Sequence, residues 1–327
     1  MTHRSVSYRK LVCTYIIPTL GTVPLQKRSP AQVQSFYSAL LTGNRGRRGT
    51  GLSPRSVRYI HTILHGALKE AMSLGLVARN VTEAVKPPKA KRPQITAWDA
   101  DALRRFMAVA EQDGCSPLWL LAAHTGLRQG ELLGLRWRDV NLERGLLRVV
   151  QAVPTVRQGV EFAAPKGGKG RTVALDVPCV AALREQKARQ NARRLASGTL
   201  WQDYDLVIAS DVGTPLHHSN VYHRFVKLVG KVAVPRLPYH GLRHTHATIL
   251  MVNGVNPKVV SERLGHADIG ITLQTYGHDL PQILDYSWAS DRAGRPCLAA
   301  ACGPTPPASL PARMPAVPGT VPRGPRE

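Results

Sequence analysis

The chain has 327 residues, with 44 lysines and arginines against 21 aspartates and glutamates, a net charge of +23 and a pI near 10.5. That length suits two packed units better than one core, and the charge is the footprint of a protein that meets a polyanion, nucleic acid ahead of an anionic membrane surface. No run approaches the about 20 apolar residues of a membrane-spanning helix, and the opening "MTHRSVSYRKLVCTYIIPTLG" lacks the apolar centre of a secretory signal. The five cysteines (Cys13, Cys115, Cys179, Cys297 and Cys302) are odd in number, scattered and without a CxxC pair. They point to neither a disulfide framework nor a zinc site, and a reducing cytoplasm is expected.

In chain order, "SPAQVQSFYSALL" offers Ser29 as a cap, Pro30 at the first helical position and a stripe of Val33, Phe36, Tyr37, Leu40 and Leu41. "SPRSVRYIHTILHGALKEAMSLG" repeats the opening at Ser53, with Val57, Ile60, Leu64, Ala67 and Ala71 facing inward and a stop near Gly75. Its other face carries Arg58, His61, His65 and Lys69, either a solvated stripe or a helix that contacts a phosphate backbone. Residues 1–85 therefore read as a small helical domain. Residues 86–95, with Lys86, Lys89, Lys91 and Arg92 among Pro87, Pro88 and Pro93, read as a stiff basic linker. A larger domain is expected over 96–288, opening with Thr96 and Asp99 at capping-box spacing and a third Ser-Pro start at Ser116. The runs "LLRVVQAV", "VEFA" and "RTVAL" around the turn "PKGGKG" predict a short antiparallel sheet, after which helices return. Residues 289–327, rich in Pro, Ala and Gly, read as a disordered tail.

Four separated pieces carry candidate chemistry. In "HTGLRQGELLGLRWRDV", Gly126 turns the chain and Arg128 opens a short helix, where a guanidinium and a helix N-terminus can face one anion. Lys166 sits on the glycine-rich turn. "YHGLRHTHATILMVNG" places His240 and Arg243 three apart on one helix face, and "ERLGHADIGITLQTYGH" sets His266 after a glycine, with Tyr276 ten residues on. Singly, each is as well explained by an ordinary surface charge. A metal site on His240, His244 and His246 is disfavoured, because no HExxH pattern or nearby acid accompanies them and His240 and His246 fall on different faces; His244 and His246 are expected to pack or cap.

In this order and spacing, Arg128, Lys166, His240 with Arg243, His266 and Tyr276 resemble the tyrosine recombinases, the phage integrase family, over about residues 15–280. The resemblance implies a mainly α fold with a small antiparallel β-sheet, in which a helical SAM-like core-binding domain precedes an integrase-type catalytic domain. It implies a site-specific recombinase of a phage or other mobile element, without metal, ATP or cofactor. Its partner would be double-stranded DNA at attachment-type sites, in a cytoplasmic, nucleoid-associated setting. Tyr276 would be the nucleophile that forms a reversible phosphoester with DNA. Arg128 and Arg243 would stabilise charge on the phosphate, His240 would relay the tyrosine proton, Lys166 would protonate the leaving 5′ oxygen, and His266 would hydrogen-bond the scissile phosphate. Glu131 would orient the site or be an ordinary exposed glutamate.

Three departures from the family pattern are expected. Gly241 replaces the acidic residue that commonly follows the first histidine of the HxxR box, and the chain is expected to start at the core-binding domain. After the tyrosine, Leu280, Ile283, Leu284 and Trp288 offer only about two turns of apolar stripe for exchange with a neighbour. The expected assembly is a monomer that associates on DNA, up to a tetramer, with accessory DNA-bending or directionality proteins as further partners. A catalytically weakened DNA-binding remnant and a type IB topoisomerase-like relaxing enzyme are the alternatives.

Overall fold

The computed structural model describes residues 3–43, 49–90, 96–154, 162–165, 167–168, 170–266 and 268–276. Lys91, Arg92, Lys166 and the positions Leu280, Ile283, Leu284 and Trp288 lie outside the described residues, as does the segment expected to be disordered.

The first part is helical: α1 (His3–Leu11), α2 (Ile17–Leu20), α3 (Pro30–Thr42) and α4 (Pro54–Ser73). The Ser29 hydroxyl accepts from the Gln32 N–H while Gln32 returns a bond to the Ser29 N–H, a complete capping box, and Ser53 caps α4 through Ser56. Each such cap stabilises its helix by about 1 kcal/mol. Val33, Phe36, Tyr37 and Leu40 meet Val57, Ile60, Leu64 and Leu68 in one apolar core closed by Val81 and Val85. Leu68 occupies the inward position expected of Ala67, which is exposed. A 3.6-residue period places 64 and 68 one turn apart on the same face, and the larger side chain joins the apolar core.

A second, larger core begins at Trp98. It gathers α5 (Ala100–Ala110), α6 (Ser116–Thr125), α7 (Gln129–Leu133), α8 (Val177–Ser197), α9 (His218–Val229) and the start of α10 (Gly241–Val252). Phe225 lies at its centre, with ring centroids 5.5 Å from Phe106, 5.9 Å from Trp119 and 5.5 Å from Tyr239. Two expected caps differ. Asp99 itself caps α5, accepting from the Ala102 N–H at 2.7 Å, so Thr96 lies before the helix. Cys115 is the N-cap of α6, which places Ser116 inside the first turn with Pro117.

The sheet has the order β1-β2-β3 and is antiparallel throughout: β1 (Val140–Asn141), β2 (Leu146–Val149) and β3 (Arg171–Ala174). Val140 pairs with Leu147, and Leu147 with Val173. Of "VEFA", Ala163 forms an isolated bridge with Ala152. Finally α11 (Pro257–Leu264) and α12 (Ile269–Tyr276) follow α10, and Val260 and Leu264 pack on Ala247, Leu250 and Met251. This small core holds the His266 turn against α10. No helix among the described residues is long and apolar enough to cross a membrane.

Candidate active site

α6 ends at Gly126, whose left-handed backbone (φ 62°) suits glycine. That turn points the Gly126 carbonyl at α10 and starts Arg128 on the next helix. Arg243, buried in the first turn of α10, donates from Nη1 to the Gly126 carbonyl and from Nη2 to the Leu264 carbonyl, both at 2.7 Å. Arg128 donates from Nη2 to the next carbonyl along, Gly265, at 3.3 Å. Two guanidiniums, one from the N-cap of α7 and one from the first turn of α10, therefore grip consecutive carbonyls of the turn that carries His266.

The His266 ring is half-buried, and its Nδ1 hydrogen-bonds the buried Thr272 hydroxyl at 2.7 Å. Thr272 belongs to α12, the helix that ends in Tyr276. Burial, followed by the charges of Arg243 and Arg128 and the neighbouring His244 and His240, pushes the imidazole down to about 4. The ring is thus neutral at neutral pH inside a positive field. Such a field disfavours another cation and favours an anion.

Glu131 anchors the other side. It is almost fully buried, and its Oε2 accepts from the Arg128 N–H at 2.9 Å while Oε1 accepts from Arg128 Nη1 at 2.9 Å. Burial alone would raise its carboxyl, but hydrogen bonds and charge from Arg171, with the Arg128 N–H and charge, leave it below the usual glutamate range. Of the two sequence readings of Glu131, the exposed one is excluded.

His240 is exposed at the N-terminus of α10, its ring centroid 4.9 Å from that of His244 in an edge-on arrangement. His246 is buried and accepts from Arg263 Nε at 3.1 Å. Burial, with Arg263 next, holds it well below the ordinary histidine range, so it packs as a neutral core residue. Gly241 is also explained by packing: a Cβ there would lie 2.2 Å from Leu237 Cγ, so a side chain at this position would displace Leu237 from the core. Lys166 lies outside the described residues, and of Tyr276 only its place at the end of α12 is described.

Among the described residues, one group offers metal-type ligand atoms within 4.8 Å of one another: His124, Asp176 and Cys179. Asp176 caps α8 through the Cys179 N–H and hydrogen-bonds His124 Nδ1. Burial opposes its ionisation, but His124 outweighs that and the carboxyl falls to about 2, whereas burial and then Asp176 raise the Cys179 thiol. A protonated thiol and a doubly used carboxylate make this a helix cap bonded to the end of α6, poorly suited to a metal.

The basic stripe of α4 divides. Arg58 and Lys69 are exposed, but His61 hydrogen-bonds Tyr37 at 2.8 Å and His65 hydrogen-bonds Thr82 at 2.9 Å. Burial, then His65 and Arg58, lower His61. Lys86 and Lys89 are exposed after the first core.

Sequence reasoning missed Arg171. It begins β3 on the same inward face as buried Val173, and a charge at an inward strand position requires a partner, which is the signal that was available. Arg263 was missed as well; it donates to the His124 and Ala174 carbonyls at 3.0 Å and lies on a helix, where nothing local marks it.

The model of the phage integrase family matches residues 98–282, more than half of the chain, and the chain belongs to that family. A "Tyrosine recombinase XerC-like" protein of Caldanaerobacter subterraneus subsp. tengcongensis is 28% identical over 270 residues, covering 77% of this chain and 67% of that one. An integrase of Streptomyces ambofaciens is 29% identical over 284 residues, covering 83% and 70%. Among solved structures, the Tn1549 transposon integrase in complex with transposon right end DNA superposes with a TM-score of 0.71 at 19% identity, covering 90% of this chain and 95% of that one. A lambda integrase dimer bound to a core site gives a TM-score of 0.61 at 20% identity, covering 84% and 89%. The mainly helical fold with its small antiparallel sheet is the one these integrases share.

Proposed function

We propose that this chain is a site-specific recombinase that cuts and rejoins duplex DNA through a 3′-phosphotyrosine intermediate, on behalf of a phage or other mobile element. The observation that carries the reading is the convergence of Arg128, Arg243 and His266 on one turn, Leu264–His266, with Tyr276 at the end of the helix whose Thr272 holds His266. Family membership and relatives called integrases support the same reading.

In this mechanism the Tyr276 oxygen attacks the scissile phosphorus, giving up its proton through His240. The bond to the 5′ oxygen breaks, and that oxygen leaves as a hydroxyl with a proton from Lys166. A 5′ hydroxyl of a second strand then reverses the step, so bond energy is kept and no nucleotide is consumed. Arg128 and Arg243 meet the charge on the non-bridging oxygens. Because they are already fixed by backbone carbonyls, little reorganisation opposes the transition state. The Lys166 and His240 roles rest on their positions in the motif. The first helical core is assigned to DNA as a core-binding unit, and assembly up to a tetramer on DNA, with accessory proteins, belongs to the same reading.

The test is adduct formation. A duplex selected by the wild-type chain from a random-sequence pool, nicked beside the mapped cleavage site, is expected to trap a covalent protein–DNA species. Tyr276→Phe is expected to abolish it while leaving the mobility shift. An adduct with Tyr276→Phe would remove the nucleophile assignment; relaxed topoisomers of a supercoiled plasmid with no recombinant product would replace recombinase by topoisomerase.

A further inference from the structure

Arg171 belongs to no motif of the sequence, yet its guanidinium makes three hydrogen bonds beside the site. It starts β3, five residues after Lys166, and its side chain is 10% exposed. Nη1 donates to Glu131 Oε1 at 3.0 Å and Nη2 to Glu131 Oε2 at 2.7 Å, the fork geometry in which arginine matches a carboxylate. Nε donates to the Arg263 carbonyl at 2.9 Å, in the last turn of the helix that leads into His266. One side chain therefore ties the sheet, the Glu131 carboxylate and the approach to the His266 turn together.

The charge balance gives this arrangement a consequence. Glu131 bears one negative charge and lies within hydrogen-bonding distance of two guanidiniums, Arg128 and Arg171. With both present the cluster is net positive, and Arg128, 25% exposed, retains attraction for an incoming anion. Without Arg171, Arg128 becomes the sole counter-ion of a buried carboxylate. Their mutual attraction, strong where water is excluded, would then hold the Arg128 guanidinium on Glu131 and cancel its charge toward a phosphate.

We propose that Arg171 is a positioning residue for the DNA-cleavage reaction: it satisfies Glu131, so that Arg128 keeps its orientation and its charge for the scissile phosphate. The inference rests on the recombinase reading above. It separates Arg171 from the residues that touch the phosphate, because most of its effect must pass through Glu131 and be relieved when that carboxylate is neutral.

The test uses the full chain and the nicked duplex described above, with adduct rate and DNA binding measured side by side. Arg171→Ala is expected to slow adduct formation on the order of tenfold to a hundredfold, the usual loss when a residue orienting a site group is removed, with non-specific DNA binding little changed. Adding Glu131→Gln to Arg171→Ala is expected to recover a large part of that loss, because a neutral amide no longer captures Arg128. A merely structural arginine predicts the opposite, since the glutamine amide keeps only one accepting oxygen and the double variant loses a further bond from the interior. Should Arg171→Ala fail to fold, Arg171→Gln, which keeps the length and loses the charge, carries the same expectation and the same rescue. An unaltered adduct rate in the single variant, or a double variant no faster than the single, overturns the proposal while the wild-type adduct stands. Absence of an adduct from the wild-type chain would instead overturn the recombinase reading, and this inference with it.

Discussion

Two sets of basic residues in this chain do opposite things with the same side-chain chemistry. Around the His266 turn, Arg243, Arg171 and Arg128 are buried or half-buried, and each directs its guanidinium onto backbone carbonyls or onto Glu131. On α4 and just after the first core, Arg58, Lys69, Lys86 and Lys89 are exposed. Buried, fixed guanidiniums lose little freedom when a phosphate arrives and sit in a low dielectric, so they suit one anion in one position. Exposed lysines and arginines act through screened, additive attraction to any phosphate. The net charge of +23 therefore sums two kinds of basic residue that composition cannot separate.

The comparison breaks most visibly at Arg243. Arg243→Ala is expected to lower the adduct rate about 100- to 1,000-fold, the cost of removing one transition-state donor. It should also destabilise the chain, because the Gly126 and Leu264 carbonyls lose their donors, at about 1–3 kcal/mol for each buried group left unsatisfied. Arg58→Ala should leave thermal stability within about 0.5 kcal/mol of wild type, as for most exposed positions. Calorimetry on the two variants decides the point, and equal stability losses would erase the distinction between the two sets.

A smaller effect sharpens the same contrast through pH. The His266 imidazole is held down to about 4, by burial first and then by Arg243 and Arg128. Because this folded value lies below the ordinary value near 6.5, the unfolded chain takes up a proton first on acidification. The stability that His266 contributes is thus full above about pH 6.5 and is lost as pH falls toward 4. A bound phosphate works in the other direction: its negative charge offsets the arginines and raises the imidazole, so DNA binding becomes linked to proton uptake. Affinity is expected to strengthen as pH falls from 7 toward 5, and His266→Gln should flatten that dependence. If both proteins show the same pH profile, phosphate does not sit beside His266.

The legibility of the site follows from this division. The helix starts Ser29-Pro30 and Ser53-Pro54 were plain because capping is local: a hydroxyl bonds an N–H three residues on. Arg128, Arg243, His266 and Tyr276 are the candidates that short motifs, carried in a fixed order, single out. Arg171 was not, because its partner Glu131 lies 40 residues away and only the fold brings them together. That Leu68 and not Ala67 enters the first core has the same origin, since periodicity names a face and tertiary packing selects which residue fills it. Gly241 read as a missing carboxylate; the structure supplies a reason in Leu237, a contact no spacing rule contains.

The smallest expected effect concerns the α4 surface, and it asks how many of its four basic positions carry charge to DNA. His61 is lowered by burial and by its neighbours His65 and Arg58 and is hydrogen-bonded to Tyr37, and His65 is engaged by Thr82 and Asn80. Both rings are used within the first core, which leaves Arg58 and Lys69 as the side chains free to reach a backbone phosphate. Each phosphate contact on duplex DNA contributes about 0.9 to the slope of log affinity against log salt. Arg58→Ala and Lys69→Ala should therefore each reduce that slope by close to one contact's worth, and together by two, with binding weakened alike on specific and random duplexes. His61→Gln and His65→Gln should leave the slope where it is and act on thermal stability, because what they remove is a bond inside the helical core. A slope that falls with the histidine variants would place those rings on the phosphate, and one that ignores Arg58 and Lys69 would take α4 out of the DNA contact altogether.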